Sequence, residues 1–127
     1  MKVLALDYGS ARTGVAVSDP TGTVARPLCV VERAATDAGL ERLRELVREE
    51  GAERIVVGLP LTLRGTRGDQ AVETEHFVAA LRAVVDVPVE PFDERFTTTL
   101  AGPGAGEDAR AAAHLLSSYL EWSSRRS

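Results

Sequence analysis

Short apolar runs alternate with turn residues over the first thirty positions, a pattern typical of antiparallel strands. Residues 3–6 form an apolar run that ends at Asp7, and residues 15–17 form another after a turn bracketed by glycines. Residues 23–31 form a third run rich in β-branched residues, in which Pro27 indicates an edge position. The chain is therefore expected to begin with three antiparallel strands.

Helical periodicity follows this region. A first helix is predicted after Thr36 or Asp37, either of which can cap it, and Gly51 is expected to end it. Its inward face consists of apolar residues spaced three or four positions apart: Leu40, Leu43, Leu46 and Val47. A second helix is predicted from about residue 70 to residue 85, with Asp69 as its cap.

Two short apolar runs, residues 55–58 and 89–92, are predicted as buried strands, and residues 107–122 as a final helix. The resulting order, βββαβαβα, requires parallel pairing and right-handed crossovers in the second part of the chain. An α/β fold is predicted, with a five-stranded mixed sheet and helices packed on it. Residues 1–122 are expected to form a single domain, and residues 123–127 a frayed tail.

Composition bounds the possible partners. The chain has 127 residues and a net charge of −4, which argues against a sequence-independent grip on a polyanion. A nuclease that holds phosphates through metal ions and a few arginines remains compatible with this charge. The candidate phosphate contacts are Arg12, Arg64, Arg67 and Arg95, although Arg64 and Arg67 are more simply explained as solvated loop charges.

The apolar runs and the cysteine content of the sequence indicate where in the cell the protein is expected. Its apolar runs fall short of the roughly 20 residues that span a bilayer, and it shows no cleavable leader. A cytoplasmic protein without membrane contact is expected. Cys29 is the single cysteine, so an internal disulfide is excluded, and it is expected to be a small buried apolar residue.

Acidic residues stand at the ends of predicted elements: Asp7 after the first strand, Asp93 and Glu94 after the last strand, and Asp108 at the last helix. The carboxyl ends of parallel strands gather at one sheet edge, so these carboxylates can meet there. Clustered carboxylates suit Mg²⁺ or Mn²⁺, and two such ions can activate water for phosphodiester hydrolysis. Taken alone, Asp108 is also explained by the dipole of its helix.

Other polar residues have ordinary explanations. Asp19 is expected to form the turn at residues 19–22 and not to act as a ligand. His76 and His114 lie within predicted helices, and the proposed chemistry does not require either of them.

Four segments in this order resemble the YqgF/RuvX family of bacterial proteins: residues 4–19 (LALDYGSARTGVAVSD), 55–61 (IVVGLPL), 93–98 (DERFTT) and 108–120. The resemblance spans nearly the whole chain. It implies an RNase H-like fold and a metal-dependent nuclease, described both as a processor of the 5′ end of pre-16S rRNA and as a Holliday junction resolvase.

The family's acids map by motif onto Asp7, Glu94 and Asp108, with Asp93 as an alternative to Glu94. These residues are expected to be catalytic and to hold Mg²⁺ or Mn²⁺, while Arg12 and Arg95 steady phosphate oxygens. The chain departs from the family in one segment: only residues 100–107 lie between Thr99 and Asp108, where the family has a longer basic stretch. Either this member has lost that stretch or the sequence omits residues.

Several functions remain open from sequence. Cleavage of pre-16S rRNA is the first hypothesis, and cleavage of four-way DNA junctions by a homodimer is the second. A nonenzymatic RNA-binding factor in ribosome assembly is a third. An actin-like ATP-binding domain also places Asp-x-Gly after its first strand, but that fold needs a second domain to close over the nucleotide.

Overall fold

The structure, a computed structural model, describes residues 1–60, 68–94 and 109–126. In these ranges its strands are β1 (Val3–Asp7), β2 (Arg12–Ser18), β3 (Ala25–Glu32), β4 (Arg54–Leu59) and β5 (Val89–Asp93). Its helices are α1 (Asp37–Glu50), α2 (Asp69–Arg82) and α3 (Ala109–Arg125). The predicted order βββαβαβα is confirmed.

The strands form one mixed sheet in the order β3-β2-β1-β4-β5. β1 lies at its centre, antiparallel to β2 and parallel to β4, and β5 is parallel to β4. The carboxyl ends of β1, β4 and β5 therefore share one edge. β3 occupies a border of the sheet, as Pro27 predicted, and the β2–β3 register shifts between Val15 and Ala16.

Two apolar layers cover opposite faces of the sheet. Alternate residues of β1, Leu4 and Leu6, are buried in the core layer shared with α1 and α2. Val3 and Ala5 are buried in the other layer, beneath α3. Because side chains alternate along a strand, Asp7 continues the α3 side and Tyr8 the α2 side. This alternation places the charged end of β1 on a defined face.

The ends of α1 are as predicted. The Thr36 hydroxyl oxygen accepts a hydrogen bond from the backbone N–H of Gly39 at 3.1 Å. Gly51 closes the helix in the left-handed region, at φ 66°. All four predicted inward residues are buried: Leu40, Leu43, Leu46 and Val47.

The predicted cap of α2 and its predicted end were wrong. Gly68 is the extended residue before the helix, and Asp69 is already in its first turn, where a carboxylate favours the dipole without capping it. The helix ends at Arg82 because Val84 donates to the Leu81 carbonyl three residues back, a tightened turn that leads into β5. Val85 lies beyond the helix yet still packs against the core.

The final helix extends beyond its predicted end. α3 continues to Arg125, so it includes residues 123–125 of the segment predicted to fray. Its inward residues Ala112, Leu115, Leu116 and Tyr119 are buried, and Leu120 is partly buried beside them. The start predicted at residue 107 lies outside the described residues. Across the described ranges, none of the helices has the length and apolar character needed to cross a bilayer.

Candidate active site

Two of the predicted acids meet at the carboxyl edge of the sheet. Asp7 is the last residue of β1, and Glu94 directly follows β5, two strands away. Their side chains share a hydrogen bond in which the Glu94 carboxyl donates to the Asp7 carboxylate. The sheet therefore brings together residues that are far apart in sequence.

Gly58 of β4 makes this contact possible. β4 lies between β1 and β5, and Gly58 faces Phe92 in the parallel ladder. A β-carbon on Gly58 would lie 2.4 Å from Oε1 of Glu94 and 3.0 Å from its Cγ. The Glu94 side chain thus occupies the space that a side chain at residue 58 would fill. Sequence reasoning gave Gly58 no role, and its position near the end of a buried strand was the available signal.

Burial and mutual repulsion change the acidity of both carboxyls. Burial raises the pKa of Asp7, and the hydrogen bond from Glu94 opposes that rise. Burial, the Asp7 charge and the shared hydrogen bond raise the pKa of Glu94 to about 7, with a further contribution from Asp93. Near neutral pH the two carboxyls therefore hold a proton between them. A cation at this position would displace it.

The structure distinguishes Glu94 from its neighbour Asp93. Phe92 is buried in the layer beneath α3, so the alternation of β5 brings Glu94 to the same side as Asp7. Asp93 ends β5 opposite Leu59 and acts on Glu94 through its charge. In the described structure the hydrogen bond to Asp7 comes from Glu94.

A cavity of about 390 Å³ opens beside the two carboxyls. Residues from β1, the following turn, the end of β4 and the first turns of α2 line it: Asp7, Tyr8, Gly9, Ser10, Pro60, Gln70, Glu73, Thr74 and Glu94. Tyr8 stacks on Phe77 of α2 with ring centroids 4.4 Å apart. Burial, followed by the charge of Glu73 and a hydrogen bond to it, raises the pKa of the Tyr8 hydroxyl. Tyr8 thus forms a neutral, fixed wall of the cavity.

The tight turn after β1 fixes Arg12 near this cavity. A β-carbon on Gly9 would lie 2.5 Å from the Arg12 carbonyl oxygen, so the turn requires glycine there. Arg12 begins β2 at the same sheet edge as Asp7, and it is exposed. The remaining predicted site residues lie outside the described residues: Arg64, Arg67, Arg95 and Asp108.

The residues that the sequence analysis placed outside the chemistry lie in a turn, on helices and in the sheet. Asp19 accepts hydrogen bonds from the backbone N–H groups of Thr23 and Val24 at 2.8 and 2.9 Å, which confirms its role in the turn. His76 and His114 are exposed on helices. Cys29 is half-buried against the core, and burial raises the pKa of its thiol.

The donor set is compatible with a hard divalent cation. Asp7 and Glu94 offer carboxylate oxygens, the ligand type that Mg²⁺ and Mn²⁺ prefer. Both carboxyls are desolvated and repel each other when ionised, and an ion would relieve this. A group of three or more His, Cys, Asp or Glu side chains suited to a metal does not occur within the described ranges.

Sequence comparison places the chain in a known family. A family model described as "RuvX: Holliday junction resolvase" matches residues 1–122. The chain belongs to the RuvX family. This membership, with the nuclease names of its relatives, makes it a hydrolase of the nuclease class that acts on nucleic acid.

Relatives of this RuvX family member carry the name "Putative pre-16S rRNA nuclease". The Rubrobacter xylanophilus protein is 48% identical over 131 residues, covering 94% of this chain and 92% of the relative. The Moorella thermoacetica protein is 40% identical over 133 residues, covering 95% of each chain. The Chloroflexus aggregans protein is 46% identical over 99 residues, covering 78% of this chain and 70% of the relative.

Solved structures confirm the RNase H-like fold of the RuvX family member. RuvC of T. thermophilus, in complex with a Holliday junction substrate, superposes with a TM-score of 0.62. The match covers 97% of this chain and 96% of RuvC at 17% identity. A second structure of Thermus thermophilus RuvC has a TM-score of 0.57 at 16% identity. At these identities the comparison concerns the fold alone.

Proposed function

We propose that this RuvX family member is a divalent-metal-dependent nuclease that matures the 5′ end of pre-16S rRNA. The observation that carries the proposal is the contact between Asp7 and Glu94 across Gly58. Two desolvated carboxyls at the carboxyl edge of a sheet are costly unless they serve a charged ligand. The choice of RNA follows the name of relatives that align over more than nine-tenths of their length.

Asp7, Glu94 and Asp108 would hold Mg²⁺ or Mn²⁺. When bound, such ions stabilise charge on the scissile phosphate and lower the pKa of a coordinated water. Asp7 and Glu94 supply oxygen ligands after their shared proton leaves. Gly58 leaves the space in which the Glu94 carboxyl reaches Asp7. Arg12, Arg64, Arg67 and Arg95 are the candidate contacts to phosphate oxygens.

Cleavage of Holliday junctions is the second candidate function, because the matching family model carries that description. The same carboxylates would serve it. Paired cuts in a four-way junction require two sites related by symmetry, and therefore a homodimer. Junction cleavage by a dimer, without cleavage of RNA, would favour this alternative.

The test compares two labelled substrates in Mg²⁺ and in Mn²⁺: an RNA carrying the pre-16S 5′ leader, and a four-way DNA junction. Asp7→Asn and Glu94→Gln remove the charge of each carboxyl, and Asp86→Asn is the matched control on an exposed acid away from the site. We expect metal-dependent RNA cleavage by the wild type and Asp86→Asn, and its loss in the other two variants. RNA binding without cleavage in either metal would refute the nuclease proposal.

A further inference from the structure

Arg33, directly after β3, has an unusual backbone conformation. Its φ is 48°, and it is the one non-glycine residue with positive φ among those the structure describes. Its N–H donates to the Ala11 carbonyl at 2.9 Å, and its carbonyl accepts from both the N–H and the hydroxyl of Thr36 at 3.0 and 2.7 Å. These bonds hold it in a region that favours glycine.

The first turn of α1 also fixes this position. A β-carbon on Gly39 would lie 2.3 Å from the Arg33 carbonyl oxygen, so the helix packs directly on the turn. The Arg33 side chain, in contrast, is exposed to solvent. The backbone is thus firmly placed while the charged group remains available. A glycine would adopt the same left-handed backbone conformation with less strain. Backbone packing alone therefore does not explain why residue 33 is an arginine.

Arg33 and Arg12 lie at the sheet edge that holds Asp7. Asp7 pairs with Gly14 of β2, and Arg12 is two residues further toward this edge, on the same face. Arg12 in turn pairs with Glu32, the residue before Arg33. α1 begins four residues after Arg33, so the positive end of its dipole adds to the local field. The backbones of Arg12 and Arg33 therefore lie on the hairpin side of the carboxylates.

Carboxylates neutralise many basic side chains elsewhere in the molecule. Glutamates form ion pairs with basic residues on several elements: Lys2, Arg26, Arg42, Arg44, Arg54 and Arg125. Over the described residues, neither Arg12 nor Arg33 takes part in an ion pair, although exposed Glu32 is the ladder partner of Arg12. Both positive charges are thus free to attract an anion.

We propose that Arg33 is a phosphate-positioning residue that acts with Arg12 on the nucleic acid strand beside the scissile bond. This inference rests on the proposed function and deepens it. The ligand is the phosphate backbone, whose negative charges favour a fixed pair of guanidinium groups. Arg33 anchors the strand on the β1–β2–β3 side of the site. The short segment of residues 100–107 makes such an additional anchor useful.

The test measures binding separately from cleavage. Fluorescence anisotropy of a labelled single-stranded RNA in EDTA, over a series of salt concentrations, gives both affinity and salt slope. Arg33→Gly removes the charge and relieves the backbone, whereas Arg33→Lys retains the charge. Arg48→Gln is the matched control, because Arg48 is exposed in the last turn of α1, at the opposite end of the sheet.

We expect Arg33→Gly to weaken RNA binding about fivefold at about 0.1 M salt and to reduce the salt slope by about 0.7, the contribution of one phosphate contact. The Tm of Arg33→Gly should equal or exceed that of the wild type. Replacing a residue with a structural role alone would not weaken RNA binding while leaving the Tm unchanged or raised. Arg33→Lys should retain most of the affinity, Arg48→Gln should retain all of it, and Glu32→Gln should increase it.

Equal affinities and slopes for Arg33→Gly and Arg48→Gln would overturn the inference. If the wild type cleaves RNA and Arg33→Gly binds as the wild type does, only the inference fails. If binding depends on Arg33 but no cleavage occurs in Mg²⁺ or Mn²⁺, the nuclease proposal fails and the phosphate contact stands. Absence of RNA binding by the wild type would overturn both.

Discussion

Oε1 of Glu94 lies 2.4 Å from the point where Gly58 would carry a β-carbon. Real β-carbons do not approach an oxygen so closely, so any larger residue at position 58 must displace the Glu94 side chain. The carboxyl pair therefore depends on a residue that has no functional group.

Gly58→Ala should move the Glu94 carboxyl away from Asp7 and reduce nuclease activity by about 100-fold, because displacements near 1 Å at a catalytic group have effects of that size. A steady-state cleavage assay with the RNA substrate measures the loss. Gly68→Ala is the control, since a β-carbon there meets none of the described residues within 4 Å. Equal activity of both variants would show that the site tolerates a displaced Glu94.

The stability of the metal-free protein should fall between about pH 4.5 and pH 7. The pKa of Glu94 is raised from 4.5 to about 7, so the folded state binds this proton more tightly than the unfolded state. Its stabilising contribution is complete below pH 4.5 and is lost as pH rises to about 7. The raised pKa of Asp7 acts in the same direction. The total change should be at most about 3 kcal/mol.

Urea unfolding in EDTA at a series of pH values measures this change. Glu94→Gln removes the titrating group, so its free energy of unfolding should vary much less over the same interval. A wild-type profile that rises steadily from pH 4.5 to pH 7 would contradict the raised pKa of Glu94.

At alkaline pH, divalent ions should restore the stability that the metal-free protein loses as pH rises. At about pH 8 both carboxyls are ionised and repel each other, so Mg²⁺ or Mn²⁺ should raise the Tm. A concentration of 100 times Kd would add about 2.7 kcal/mol of stability. The shift should shrink near pH 5.5, where protons compete for the same oxygens. Differential scanning fluorimetry measures it, and Asp7→Asn should abolish it; an equal shift in that variant would place the ion elsewhere.

Asp19 should matter for stability and not for chemistry. Its carboxylate accepts backbone hydrogen bonds from Thr23 and Val24, and a hydrogen bond from the Thr21 hydroxyl contributes most to holding its pKa well below the usual range. The stabilisation is present above about pH 4 and is lost as pH falls below that value. Asp19→Ala should lower the Tm at pH 7. The variant should also lose less stability than the wild type as pH falls below about 4. Cleavage rates measured well below its Tm should match the wild type.

The order of elements was predictable because the strands are short apolar runs bounded by turn residues, while α1 has strong periodicity and clear ends. The meeting of Asp7 with the end of β5 was also predictable from the rule for parallel strand ends. The choice between Asp93 and Glu94 was not, since neighbouring residues face opposite sides of a strand. Burial of Phe92 shows that Glu94, two residues further on, lies on the same side of the sheet as Asp7.

Three further features could not be derived from the sequence. Gly58 matters through the space it leaves beside Glu94, and that proximity exists only when β5 lies on β4. Arg33 adopts a left-handed conformation without the glycine or asparagine that usually indicates one. At α2, Asp69 was predicted as the N-cap, but it lies in the first turn and Gly68 is the N-cap residue. Tertiary contacts decide the first two.

The position of β5 has a consequence for the timing of activity during synthesis. Asp7 ends β1 and emerges from the ribosome well before its partner Glu94, which follows β5. The two carboxyls can meet only after β5 has docked on β4, and domains generally fold as whole units during translation. A growing chain therefore exposes RNA in its surroundings to no assembled carboxylate pair until the segment that contains β5 has been made.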